Sequence, residues 1–331
     1  MNCYFNLYSY CLPVKGSKRA VVCDLQRNII QPVPLAVYEF LNKIQFEKSS
    51  DHLFCTFSEA DKNTINEYIA FLYHNEFGYY TKSPISLVEP VFPDYQEQGL
   101  ITNAIIDFNN DSSHSLEKIV PQLTELGCKA VELRYFYSIN LETFEKALKT
   151  TSESGLEKIE LLVEKNDSID WEYISEIKKT YNKLSKVTLS NASDNVIYNL
   201  EKLVVIYTTE IIRNETKCGV TGELYCIADS RLFWESQHFN NCLYKKISVD
   251  KFGMIKNCPS MQENFGSIED TTLNSVVSID AYKKYWFITK DSIEVCCDCE
   301  LRYVCQDCRA YTIHFNRINS KPLKCRYNPC I

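Results

Sequence analysis

The sequence predicts an α/β protein in three parts, at residues 1–85, 98–212 and 213–331, and three observations carry the prediction. Apolar strands recur through the middle of the chain with centres at Ile105, Leu133, Leu161 and Leu189, 28 residues apart each time. The first part carries strand, helix, helix and strand patterns in that order. The last part is rich in cysteine and short loops and poor in periodicity. A strand–helix repeat builds a parallel sheet, because each parallel crossover needs a helix.

In the first part, apolar-rich strands run from Tyr4 to Leu12 and from Arg19 to Leu25, with a turn at Lys15-Gly16-Ser17-Lys18. Pro34 opens a helix that places Val37, Phe40, Leu41 and Ile44 on one face. Ser58-Glu59-Ala60-Asp61 is a capping-box pattern for a second helix, with a buried stripe of Ile65, Tyr68, Ile69 and Leu72. Phe77-Gly78-Tyr79-Tyr80 turns into a closing strand, so residues 1–85 read as a winged-helix-like module. Pro84, Pro90 and Pro93 punctuate a linker.

In the second part, strands are expected at Ala104–Phe108, Ala130–Tyr135, Ile159–Val163 and Val187–Leu189, and a fifth at Leu203–Tyr207. One intervening helix carries Leu116, Ile119, Val120, Leu123 and Leu126; another carries Ile174, Ile177, Tyr181 and Leu184. This is a partial (β/α) barrel or an open α/β sheet. The third part has one expected helix near Leu273–Val277. A segment this poor in periodicity seldom folds on an apolar core alone, and bound metal would supply the missing constraint.

Composition narrows the function. The formal net charge of −7 gives no global basic field for nucleic acid or anionic lipid. The predicted second helix shows Asp61, Lys62, Asn63, Asn66 and Glu67, with no arginine stripe for phosphates or bases, so nucleic acid is not an expected partner. No apolar run reaches 18 residues, so no membrane span is expected. A signal peptide is not evident either. Sixteen clustered cysteines without one are expected to be reduced thiols in a cytoplasm.

The cysteine rhythm is the most informative motif. Cys242 is followed by ten residues, Gly253, four residues and Cys258; then come Cys296-x2-Cys299-x5-Cys305-x2-Cys308 and, after a gap, Cys325. Thiolates two residues apart can close on one metal centre. Spacing alone fits iron–sulfur clusters and a zinc ribbon. Cys3, Cys11, Cys23, Cys55 and Cys128 read as core thiols, whereas Cys297 and Cys330 neighbour the pattern and are possible substitutes within it.

The strings around these cysteines carry a family resemblance. They include Asn241-Cys242-Leu243, Ile255 to Met261, Phe265-Gly266-Ser267-Ile268, Cys299 to Ala310, and Ser320 to Cys325. The pattern resembles the SPASM domain, the auxiliary-cluster domain of many radical SAM peptide-modifying enzymes, with Cys305 and Cys308 two residues apart instead of three. The strings look like the SPASM-containing maturase of "grasp-with-spasm" peptide systems, and the likeness is close over roughly 215–331. It implies iron–sulfur clusters, 4Fe-4S in type, with zinc as the alternative. Carried over by position, Cys242, Cys258 and Cys308 share one cluster with Cys218 or Cys226, and Cys296, Cys299, Cys305 and Cys325 hold the other. Gly253 would serve a tight turn that returns Cys258 towards Cys242.

The radical SAM mark itself, Cys-x3-Cys-x2-Cys after the first strand of the repeat, is missing. The loop there is Asn109 to Ser115 and holds no cysteine, and the second strand ends in Arg134-Tyr135-Phe136-Tyr137-Ser138 instead of a Gly-Gly-Glu-Pro-like string. The middle therefore reads as a degenerate radical SAM-type barrel with no S-adenosylmethionine and no catalytic residues assigned; His114 and Asp111 are expected to be solvated loop residues, the alternative being a noncanonical active site built on them. By resemblance, the chain is expected to be an accessory maturase of ribosomal peptides of the graspetide type. It would bind the precursor's leader through residues 1–85 and act with an ATP-grasp ligase that carries the ligation chemistry. The alternatives are a cluster-dependent redox or diverged radical enzyme acting on the same peptide, and a zinc-bearing regulator. Arg302 and Arg309 would either meet acidic residues of the peptide or form salt bridges within the domain.

Overall fold

The computed structural model describes residues 4–44, 53–82 and 99–331. Cys3, His52 and the predicted linker prolines lie outside them. The chain divides into two units: residues 1–95, 220–241 and 287–331 form the first, and residues 96–219 and 242–286 the second. The contacts thus split the predicted third part, 213–331, between the two units. It has no long apolar periodicity with which to build a separate core.

In the first unit, β1 (Tyr4–Leu7) pairs antiparallel with β5 (Gly78–Thr81). A three-stranded antiparallel sheet is formed by β2 (Cys11–Lys15), β3 (Ala20–Asp24) and β4 (Ile29–Val33). The single strand expected over 4–12 is two strands that join different sheets. β4 was not expected; it contains Pro32, which an edge strand tolerates. Helix α1 (Leu35–Lys43) follows Pro34 and buries Val37, Phe40 and Leu41. Helix α2 (Glu59–His74) is capped by Ser58, whose side chain accepts from Asp61 N at 3.2 Å, and it buries Ile65, Ile69 and Leu72. Helix α6 (Ser230–His238) and the loops of 287–331 complete this unit.

The second unit is built on an eight-stranded, mostly parallel sheet of order β10-β11-β9-β8-β7-β6-β12-β13. Its six parallel strands are β6 (Asn103–Phe108), β7 (Ala130–Tyr135), β8 (Lys158–Glu164), β9 (Leu184–Ser190), β11 (Leu203–Tyr207) and β12 (Lys246–Val249). The antiparallel strands β10 (Val196–Leu200) and β13 (Ile255–Lys256) end the order. The 28-residue period is visible in the register, where Leu133 sits opposite Leu161. The connecting helices are α3 (Leu116–Glu125), α4 (Leu141–Ser152) and α5 (Trp171–Ile177), followed later by α7 (Leu273–Val277) and α8 (Asp280–Lys283). Helix α5 is shorter than expected: it stops at Ile177, and Leu184 already belongs to β9. Ile106, Leu133, Leu161, Val187 and Val205 form one core with Ile119, Leu123, Phe144 and Leu148 of the helices.

Candidate metal centres

Each unit gathers thiols around a lysine. In the first unit Cys296, Cys299, Cys305 and Cys325 line one cavity together with Lys290 and Tyr327. Cys296 opens a short 3-10 turn, Cys296–Asp298, after Val295 with φ of 68°, and Cys299 N donates to Cys296 O at 3.0 Å. This turn faces Cys296 inward and leaves Cys297 exposed. Cys330 is exposed as well.

The N-terminal sheet braces this knuckle. Ser17 N donates to Asp298 O at 2.8 Å in the turn between β2 and β3. Arg19 Nε donates to Glu300 Oε1 at 2.5 Å, and Tyr327 also donates to that wholly buried carboxylate. Gly16 is needed at the approach, because a Cβ there would lie 2.7 Å from Glu300 Oε2. Val14, Val21 and Cys23 share a core with Leu301, Val304 and Cys305.

Lys290 is buried, and its Nζ donates to Cys305 O at 2.7 Å and Gln306 O at 2.8 Å. Burial depresses its basicity, but Cys305, Asp307 and Cys296 outweigh that and raise it. Burial pushes the Cys296 and Cys299 thiols up to about 12. The neighbouring Cys305 thiol, then burial, raises Cys226, while Cys226 and Lys290 lower Cys305. Thiols must shed protons to bind metal, so a fixed ammonium among them favours the anionic donor set.

The second unit holds Cys218, Cys242 and Cys258. Lys246 Nζ donates to Cys242 Sγ at 3.6 Å. Burial lowers Lys246, but Cys242, Cys258 and Cys218 together raise it above its usual value. Burial, then Cys242, pushes Cys258 up. Gly253 lies in the β12–β13 hairpin turn with φ of 77°, its N–H donating to Asp250 O at 2.8 Å. Only glycine adopts that backbone without strain. Asp250 closes the turn by accepting from Phe252 N and Met254 N and by pairing with Lys256 at 2.7 Å. Of the two alternatives left by the sequence, Cys218 groups with Cys242 and Cys258, and Cys226 groups with Cys305. Cys308 is buried and belongs to the first unit.

The donor chemistry of the first cavity fits a sulfur-ligated metal group. It presents four thiols, no imidazole, and one carboxylate, Glu223, that Arg19 already holds at 2.9 Å. Among the described residues no group of three or more His, Cys, Asp or Glu side chains is arranged to hold a metal ion. The thiols therefore line a cavity and do not form a closed coordination shell. Of the expected core thiols, Cys11, Cys23 and Cys128 are buried, but Cys55 is exposed, because it follows the last buried residue of its segment, Leu53, by two positions.

At the ends of β6 and β7, Arg134 grips Asp107 with two hydrogen bonds of 2.6 and 2.8 Å, both side chains buried. Phe108 stacks between Tyr135 and His114 at 4.8 and 4.7 Å. His114 is buried and not solvated as expected, because it stacks on Phe108 with its Nε2 3.0 Å from Asp107 O, while Asp111 is exposed. Arg309 is buried against Asp307 at 2.6 Å, and Arg302 pairs with Asp291 at 2.8 Å, so both arginines serve within their own unit.

Lys290, Lys246, Arg19 and Glu300 were not singled out from the sequence. A lone charged residue carries no spacing signal; only the folded neighbourhood shows its role. No protein-family model matches the chain, and no curated protein matches it. The chain is a mixed α/β protein with a mostly parallel eight-stranded sheet and two thiol groups. Among the described residues no helix is long and apolar enough to cross a membrane.

Proposed function

We propose that the chain is an accessory maturation protein of the grasp-with-spasm type, binding a ribosomal precursor peptide and acting with an ATP-grasp ligase. The observation that carries the reading is the convergence of Cys296, Cys299, Cys305 and Cys325 on one cavity beside buried Lys290. These four residues would hold one 4Fe-4S cluster. Cys218, Cys242 and Cys258 would contribute three ligands to a second. Clusters held in these places would supply cross-links and negative charge. Lys290 and Lys246 would offset that charge, and Glu300 with Arg19 fixes the Cys296–Cys305 backbone against the N-terminal sheet.

The absence of radical chemistry is part of the same reading. The ends of β6 and β7, where a radical SAM barrel carries its catalytic cluster, are filled by the Asp107–Arg134 pair and the Phe108–Tyr135 stack. Residues 1–85 are read as the winged-helix-like leader-binding module. β4 ends the order of its sheet, and strand addition at such an edge is an established mode of peptide capture. Reduced thiol ligands point to a cytoplasmic setting.

The test needs a ribosomal precursor peptide and an ATP-grasp ligase, to be sought among the genes neighbouring that of this chain. The peptide is incubated with ligase and ATP, with this protein alone, and with both. The expected result is faster or more complete loss of water from the peptide when both proteins are present, and no mass change with this protein alone. A mass change made without ligase would establish the catalyst reading instead.

A further inference from the structure

Strand β10 ends the order of the eight-stranded sheet, and among the described residues no strand pairs with its outer edge. All five of its residues are exposed, Ile197 at 62%, Leu200 at 41%, Tyr198 at 39% and Val196 at 38%. Natural sheets protect such edges with charge, proline, bulges or short strands. Two other edges here follow that rule: β4 carries Pro32, and β13, at the far end of the same sheet, has two residues. β10 has no charged residue and no proline, and its register with β11 is unbroken from Val196 opposite Tyr207 to Leu200 opposite Leu203. Leu200 and Leu203 close the two-residue turn Glu201-Lys202, so Leu200, Tyr198 and Val196 direct their N–H and C=O groups to β11. Ile197 and Asn199 direct theirs to the outer edge.

We propose that β10 pairs antiparallel with β10 of a second copy of the chain, about a two-fold axis at Tyr198, joining two sheets edge to edge. The segment is complementary to itself in this register. Val196 faces Leu200 of the second copy, Ile197 faces Asn199, and Tyr198 meets Tyr198 on the axis, so the whole strand is paired. Ile197 and Asn199 are the residues with outward backbone groups, so each Ile197–Asn199 pair exchanges both its hydrogen bonds. Just beyond the strands the same register brings exposed Asp194 of one copy to exposed Lys202 of the other, twice by symmetry. An axis at Ile197 would set Asp194 against Leu200, and an axis at Asn199 would set Lys202 against Val196; both lose the charge match and leave part of each strand unpaired. Tyr198 already lies flat on Trp171, with ring centroids 4.8 Å apart, which fixes the strand for pairing. The dimer uses only β10 and its flanking turns and rests neither on bound metal nor on the peptide reading.

The test is sedimentation equilibrium of the full-length protein from about 1 µM to about 1 mM, the range in which a small strand-to-strand interface becomes populated. The mass is expected to rise from 38.5 kDa towards twice that value. Asn199→Pro removes an outward N–H and spares the bonds to β11, so it should hold the monomer mass throughout, with an unchanged far-UV circular dichroism spectrum. Asp194→Lys and Lys202→Asp each set like charges opposite one another and should weaken association about tenfold; the two together should restore it. These exposed substitutions test the register even if proline disturbs the hairpin. A constant monomer mass in the parent chain overturns the proposal, as it would if another segment of the chain covered the edge. Association undiminished in Asn199→Pro also overturns it. A charge-swapped chain that associates as weakly as either single variant overturns the Tyr198 register.

Discussion

Between Asn103 and Tyr207 the second unit hides Ile106, Leu133, Leu161, Val187 and Val205 strand after strand, in one core with the helices above them. Between Phe287 and Ile331 the first unit buries only Ile288, Ile293, Leu301 and Val304 among its large aliphatic side chains, and around them it buries Lys290, Glu300, Asp307 and Arg309. The sheet is held by apolar area, which contributes about 25 cal/mol per Å² and needs no exact partners. The cysteine-rich segment is held by charges and thiols whose burial is favourable only while every partner is in place. Removing one group therefore has different consequences in the two regions.

The largest effect of a single substitution is expected at Asp307. Its carboxylate accepts from Arg309 at 2.7 Å and from Asn240 at 2.6 Å, and its backbone N donates to Asn241 Oδ1 at 2.9 Å. Asp307→Ala leaves the buried guanidinium unpaired and should cost about 3–5 kcal/mol. Urea denaturation followed by tryptophan fluorescence can place the loss, because Trp234 reports on the first unit and Trp171 and Trp286 on the second. A loss confined to the Trp234 signal sharpens the contrast; an equal shift of all three signals would break it.

A smaller effect concerns pH and the second unit. Burial lowers the pKa of His114 from its ordinary 6.5, against the opposing pull of its bond to Asp107 O. The folded protein then binds fewer protons than the unfolded chain just below pH 6.5, so stability is full above that pH and falls as the pH drops towards the lowered value. His114→Gln should flatten this part of the stability–pH curve. If the slope below pH 6.5 persists in the variant, another group sets it.

The two regions also differed in how far the sequence disclosed them. Strands β6, β7, β8 and β11 and helix α3 were legible because their apolar residues face a continuous core and repeat with it. Strand β10 was not, because all five of its residues are exposed and show no alternation. The residues Ile174, Ile177, Tyr181 and Leu184 keep helical spacing but span a helix, a turn and a strand, so periodicity alone overran the boundary. At the candidate site the thiols and Gly253 were legible through spacing. The choice between Cys218 and Cys226 needed the fold, since both precede Cys242 in the sequence and only packing separates them. The bracing of Cys299 by Arg19 through Glu300 joins residues 281 positions apart and leaves no local trace.

The central claim is that thiols in the first unit hold an iron–sulfur group. It is tested most directly by anaerobic purification with iron, acid-labile sulfide and zinc analysis of the full chain and of Cys296→Ser. Iron and sulfide in near-equal amounts, falling by about half in Cys296→Ser if two clusters are present, is the result expected. Zinc without sulfide, or iron and sulfide unchanged in the variant, would contradict the account.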